Sequence, residues 1–158
     1  MNEPDTQRLQ FLHDTRTDVW IAEATGIPRS TIGFARRGDR ELPSKYADAL
    51  RGLYGGEVTT HLQKAGYPET VAVEYGTAMP DRVNELTGDL DKYIEKISIL
   101  HTSYAEQTAI DAGKAFDAKS YYQDTKDKIR DNIANSNLSY EELVDRFADY
   151  ARESFRMV

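Results

Sequence analysis

The sequence predicts an all-α protein, and three observations lead there. Apolar residues recur at three- and four-residue intervals, most plainly from Val83 to Tyr104. No stretch alternates apolar and polar residues for more than a few positions, so no strand is expected. Gly26, Gly38, Gly66-Tyr67-Pro68 and Asn135-Ser136-Asn137 punctuate the helical periods. The expected arrangement is a bundle of four to five short helices over residues 1–56, a connecting helical hairpin over 57–79, and a helical bundle or coiled-coil-like region over 80–158.

The first helix is expected over residues 5–15, where Leu9, Phe11 and Leu12 supply the apolar side. Thr17 then stands as an N-cap, with Asp18 in the positive first turn of a second helix and Trp20 packing on the first. In that second helix Ile21, Ala22 and Thr25 share a face. Gly26 suits a turn that needs positive φ, and Ile27 can drop into the wedge beyond it. Pro28 is tolerated at the start of the next helix, which runs from Arg29 to Arg37 and stops at Gly38. Ile32 and Ala35 form its inward face. Ser44 is placed to cap a helix from Ser44 to Tyr54, with Tyr46, Ala47, Leu50, Leu53 and Tyr54 inward. Gly55-Gly56 marks the expected boundary.

Residues 57–78 read as two short helices broken at Gly66-Tyr67-Pro68. Met79-Pro80-Asp81 opens the longest periodic segment, in which Val83, Leu86, Leu90, Tyr93, Ile97, Leu100 and Tyr104 are spaced alternately by three and four. This a/d-like seam suits either a bundle core or an oligomer interface, and Ile94 and Ile99 broaden it. Ala105, Ala109, Ala112 and Phe116 continue a helix with a small-residue face, until Ser120-Tyr121-Tyr122 breaks the pattern. A short amphipathic piece with Ile129 and Ile133 follows. Ser139 and Glu142 have the spacing of a capping box, opening a last helix with Tyr140, Leu143, Val144, Phe147, Tyr150 and Ala151 inward.

At 158 residues, 39% hydrophobic and 30% charged, the chain has room for one domain or two small ones. No run approaches the roughly 18 apolar residues of a membrane span. The acidic start M-N-E-P-D lacks the basic and apolar regions of a secretory leader. There is no cysteine, hence no disulfide and no thiolate zinc site. The net charge is −7. Residues 1–58 carry 8 Lys/Arg against 9 Asp/Glu, and residues 59–158 carry 12 against 18. The acidity lies mostly in the second part, whereas Arg29, Arg36, Arg37 and Arg40 cluster in the first.

An enzyme needs a constellation, and the sequence offers none. His13, His61 and His101 make no metal-binding spacing, and the glycines are followed by no phosphate-loop lysine. No nucleophile elbow occurs. The expectation is a protein without catalytic residues, metal or cofactor.

The run D-V-W-I-A-E-A-T-G-I-P-R-S-T-I-G-F-A-R-R from Asp18 to Arg37 points elsewhere. Ile21, Ala22, Gly26, Ile27, Ser30, Thr31, Ile32, Arg37 and Gly38 fill the pattern I-A-x-x-x-G-I-x-x-S-T-[IV]-x-x-x-x-R-G. In these residues the chain resembles the helix-turn-helix of phage-repressor-like (Cro/Xre-type) DNA-binding domains, strictly over about 20 residues and loosely over the first 55 or so. The resemblance implies double-stranded DNA as partner, with a recognition helix of about 29–37 in the major groove. Arg29, Ser30 and Thr31 then lie at the end toward base edges, with Gly33 and Phe34 one turn later. Phe34 is suited either to a thymine methyl or to a protein contact, and Arg36, Arg37 and Arg40 lie toward phosphates. It implies a phage or mobile-element regulator that oligomerises through the helix at 80–104. The alternative is a viral structural or DNA-packaging protein, similar in layout to small terminase subunits or serving as a connector or capsid-associated component, in contact with other virion proteins. The expected location is the host cytoplasm or the virion.

Overall fold

In the computed structural model, residues 3–156 are described, with side chains described through residue 149. Among the described residues the chain is helical throughout, without a strand. The helices are α1 (Glu3–His13), α2 (Asp18–Thr25), α3 (Arg29–Arg36), α4 (Ala47–Ala65), α5 (Glu69–Glu74), α6 (Pro80–Asp111), α7 (Ala118–Ala134) and α8 (Tyr140–Arg156), with a 3₁₀ turn at Ser44–Tyr46 before α4. They form two compact units. One comprises Met1–Leu62 and Ala72–Glu85; the other comprises Gln63–Val71 and Leu86–Val158.

In the first unit α3 packs against both α1 and α2. Leu9, Leu12, Ile21, Ile27, Ile32 and Ala35 fill the space between them. The Thr17 hydroxyl accepts the Trp20 N–H at 3.1 Å, capping α2 as its position suggested. Gly26, at φ 75°, ends that helix in the left-handed region, and its N–H reaches the Ala22 carbonyl at 2.8 Å. The Thr25 hydroxyl donates to the Ile21 carbonyl and accepts the Ile27 N–H, which stiffens the corner. Two side chains of α1 then close the far end of α3: Thr6 donates to the Ala35 carbonyl at 2.9 Å, and Gln10 to the Arg36 carbonyl at 3.2 Å. The Ala35 carbonyl also accepts the Gly38 N–H at 3.1 Å, so α1 shares the C-terminal capping of α3 with the backbone that follows it. Trp20 is half-buried, with the Arg16 guanidinium over its ring at 4.2 Å.

The helix expected from Ser44 to Tyr54 starts later and ends later. Ser44–Tyr46 is a 3₁₀ turn, and α4 runs through Gly55-Gly56 to Ala65. The reason is packing: Leu50, Tyr54, Val58 and Leu62 recur every four residues and are all essentially inaccessible. Their burial outweighs the roughly 1 kcal/mol that each interior glycine costs a helix. Gly76 lets its segment approach α4 closely: a Cβ there would lie 2.9 Å from the Thr59 hydroxyl and 3.3 Å from the Gly55 carbonyl. The Tyr54 phenol donates to the Ala78 carbonyl, and burial pushes its pKa up to about 12 against a lesser opposing influence of Arg8. Phe11 meets Tyr54 and His61 edge-on, at 5.4 and 5.8 Å.

In the second unit α6 is the core element. Leu86, Leu90, Tyr93, Ile94 and Ile97 are buried, together with Tyr67, Val71, Ile133 and Leu143. Tyr67 donates its hydroxyl to the Leu86 carbonyl at 2.6 Å. Ser98 and Thr102, also buried, satisfy their hydroxyls on the Ile94 and Ser98 carbonyls one turn back. Tyr93 lies 4.5 Å from the Phe147 ring of α8. The capping box forms as spaced: the Glu142 N–H reaches Ser139 Oγ at 3.2 Å, and the Ser139 N–H reaches Glu142 Oε1 at 3.4 Å.

Several expectations need correction here. α6 stops at Asp111, short of Ala112 and Phe116, because Gly113 at φ 65° terminates it; the Lys114 N–H returns to the Ala109 carbonyl. Ser120-Tyr121-Tyr122 breaks nothing: these residues lie within the first two turns of α7, which Asp117 caps by accepting the Ser120 N–H at 3.2 Å. Ile129 and Ile133 therefore belong to a full helix. In α8 Leu143 is buried, Tyr140 and Phe147 are half-buried, and Val144 is exposed; Tyr150 and Ala151 lie outside the residues with described side chains.

Candidate functional site

The arginine-bearing side of α3 belongs wholly to the first unit. Its first residues, Arg29 and Ser30, are exposed, and Thr31 is half-buried. Ile32 and Ala35 point inward and anchor the helix, so the opposite side faces outward. Gly33 is covered by the Arg37 guanidinium, which lies back over the preceding turn. The Phe34 ring is half-buried and flanked by two cations, Arg40 at 4.5 Å and Arg37 at 5.4 Å from its centre. Arg37 Nε donates to the Asp39 carboxylate at 3.1 Å while its side chain stays half-exposed. Arg40 is exposed.

Arg36 differs from its neighbours. It turns toward α2 and donates twice to the Asp18 carboxylate, with His13 Nδ1 3.4 Å from the same group. Its charge is therefore largely matched inside the fold. Burial pushes the Asp18 carboxyl upward, but the hydrogen bond and charge of Arg36, with smaller contributions from His13 and Arg29, hold its pKa below the ordinary 3.8. Asp18 stays ionised beside the arginine cluster. A shallow hollow of about 400 Å³, lined by His13, Thr15, Arg16, Thr17, Asp18, Val19 and Arg29, adjoins the start of α3.

The structure thus brings Phe34, Arg37 and Arg40 together, leaves Arg29 and Ser30 free at the helix start, and withdraws Arg36. Sequence reading missed the partners Asp18 and Asp39, and the stacking of Arg16 on Trp20. Asp18 and Arg36 are 18 residues apart and carry no local signal of their pairing. The seam residues are mostly occupied within the chain. Val83, Leu86, Leu90, Tyr93 and Ile97 are buried, Leu100 is half-buried, and only Tyr104 is largely exposed, at 77%. Among the described residues, no three His, Asp or Glu side chains gather as metal ligands, and no helix is long and apolar enough to cross a membrane. No family model, curated protein or solved structure matches the chain.

Proposed function

We propose that this protein binds double-stranded DNA as a phage or mobile-element regulator, with the α2–α3 pair serving as a helix-turn-helix of the Cro/Xre type and α3 entering the major groove. The observation that carries the reading is the polarity of α3. Ile32 and Ala35 are buried on one side, while Arg29 and Ser30 at its start and Arg37 and Arg40 just past its end reach solvent. A helix seated this rigidly, with its cations outward, meets the geometric demands of groove entry. Arg29 at the helix start suits a guanine edge, with Ser30 as a short adaptable partner. Arg37 and Arg40 suit phosphates, which position without specifying. Arg36 holds α3 against α2 through Asp18.

Binding of labelled duplex DNA, read by fluorescence anisotropy over a salt series, tests this. Two exposed arginines on phosphate predict that log affinity falls with log salt at a slope of roughly −2 for each bound copy. Reversing Arg29 and Arg40 to glutamate should abolish the binding. Undetectable binding by the unaltered protein at low salt, or unchanged binding by the double variant, would overturn the proposal.

The excess of acidic residues over 59–158 favours a second reading, a virion or packaging component that reuses the same module. A regulator prefers one site by orders of magnitude over random duplex, whereas a structural protein binds weakly and without sequence preference. Either way one short helix binds weakly alone, so two copies on half-sites about one helical turn apart are expected. Light scattering at micromolar concentration, with and without duplex, reads that number.

A further inference from the structure

Glycine in the interior of a short helix needs a reason, because it weakens the helix relative to alanine. Gly33 occupies such a place in α3. It does not have positive φ, and the three atoms nearest to a Cβ built on it belong to a side chain and not to backbone. A Cβ built on Gly33 would stand 3.2 Å from Arg37 Nη1, 3.6 Å from Nη2 and 3.8 Å from Cζ. The guanidinium thus rests on the bare backbone of α3, a full turn back from its own Cα. Two further contacts hold it there: Nε donates to the Asp39 carboxylate at 3.1 Å, and the Phe34 ring lies 5.4 Å from Cζ.

We propose that Gly33 is a positioning residue for nucleic-acid binding, its missing side chain letting Arg37 lie along the outer side of α3 as a preorganised contact to a DNA phosphate. This rests on the DNA-binding reading above and deepens it. An arginine on a free surface must be ordered when it binds, and that ordering opposes affinity. Here Gly33, Phe34 and Asp39 order it in advance. Half of the side chain remains exposed, so the guanidinium is both held and reachable.

The substitution Gly33→Ala separates this role from a structural one. Alanine favours the helix, and the atoms nearest to its methyl are the far end of a flexible side chain. Thermal melting followed by circular dichroism should therefore rise by a few degrees. Affinity for a labelled random-sequence duplex at low salt should fall about two- to ten-fold, the scale of ordering one long side chain. The companion variant Arg37→Ala should weaken binding and make the salt slope shallower by about 0.9. In the Arg37→Ala background, Gly33→Ala should then change stability but not affinity. Equal binding by Gly33→Ala and the unaltered protein overturns the assignment. So does a Gly33→Ala loss that persists without Arg37, since the methyl would then act directly. If the unaltered protein binds no duplex, it is the DNA-binding reading that fails, a result the other arms cannot produce.

Discussion

Arg36 reaches across the turn between α2 and α3 to clasp the Asp18 carboxylate with two donors, Nε at 3.2 Å and Nη2 at 3.0 Å. The two side chains retain only 22% and 16% of their exposure, so solvent screens the pair less than an open surface bridge. It joins the last turn of α3 to the first turn of α2.

The pair makes stability depend on acid. Asp18 has a pKa lowered in the folded state, so its contribution is present above the ordinary 3.8 and is lost as pH falls through the lowered value. Denaturant midpoints should therefore show no loss from this group between about pH 7 and pH 5, then decline below about pH 4. Asp18→Asn should lower stability by about 1–3 kcal/mol near neutrality and decline less steeply in acid. An acid profile identical to that of the unaltered protein would show that Arg36 does not govern this carboxylate.

Gly66 and Gly113 both adopt positive φ, at 118° and 65°, but in different surroundings. A methyl on Gly66 would meet Arg130 Cγ at 2.8 Å and Leu90 Cδ2 at 3.4 Å, whereas one on Gly113 would meet nothing within 4 Å. Urea denaturation of Gly66→Ala should show a loss of about 2–4 kcal/mol, combining backbone strain with crowding. Gly113→Ala should lose only the backbone part, about 1–2 kcal/mol. The reverse order would mean that Arg130 yields freely.

Tyr67 is almost wholly buried and donates to the Leu86 carbonyl at 2.6 Å. Tyr67→Phe keeps the ring and removes the donor. It should lower stability by about 1–2 kcal/mol without altering duplex binding, because both residues lie in the second unit. Chemical denaturation and anisotropy on the same samples check both halves.

Ser139 caps α8 through the Glu142 N–H at 3.2 Å. Ser139→Ala should lower stability by about 1 kcal/mol and speed amide exchange in the first turn of α8. The first turn of α2, capped by Thr17, should exchange as before. Acceleration at both caps would mean a global loss instead of a local one.

Much of this architecture was legible in local chemistry. Thr17, Gly26 and the Ser139/Glu142 pair act within one helical turn of their own position, so spacing alone revealed them. The inward side of α3, Ile32 and Ala35, followed from the period of the helix. Where the reading failed, the deciding partner was distant or the signal ambiguous. Gly55-Gly56 looked like a boundary because glycine weakens helices, yet the buried stripe Leu50, Tyr54, Val58 and Leu62 carries α4 through it. Gly113 was overlooked as a terminator because the small residues around it also suit a helix.

The linear chain by itself determined the helical character, the caps and turns, and the clustering of arginines near α3, since each depends on neighbours within a few positions. Only the tertiary structure decided how those arginines are used. It withdrew Arg36 onto Asp18, laid Arg37 over Gly33, and committed most of the long seam of α6 to the chain's own interior. Those outcomes depend on which surfaces meet after folding, and hydrophobic period alone does not distinguish a side chain that packs on its own chain from one left for a partner.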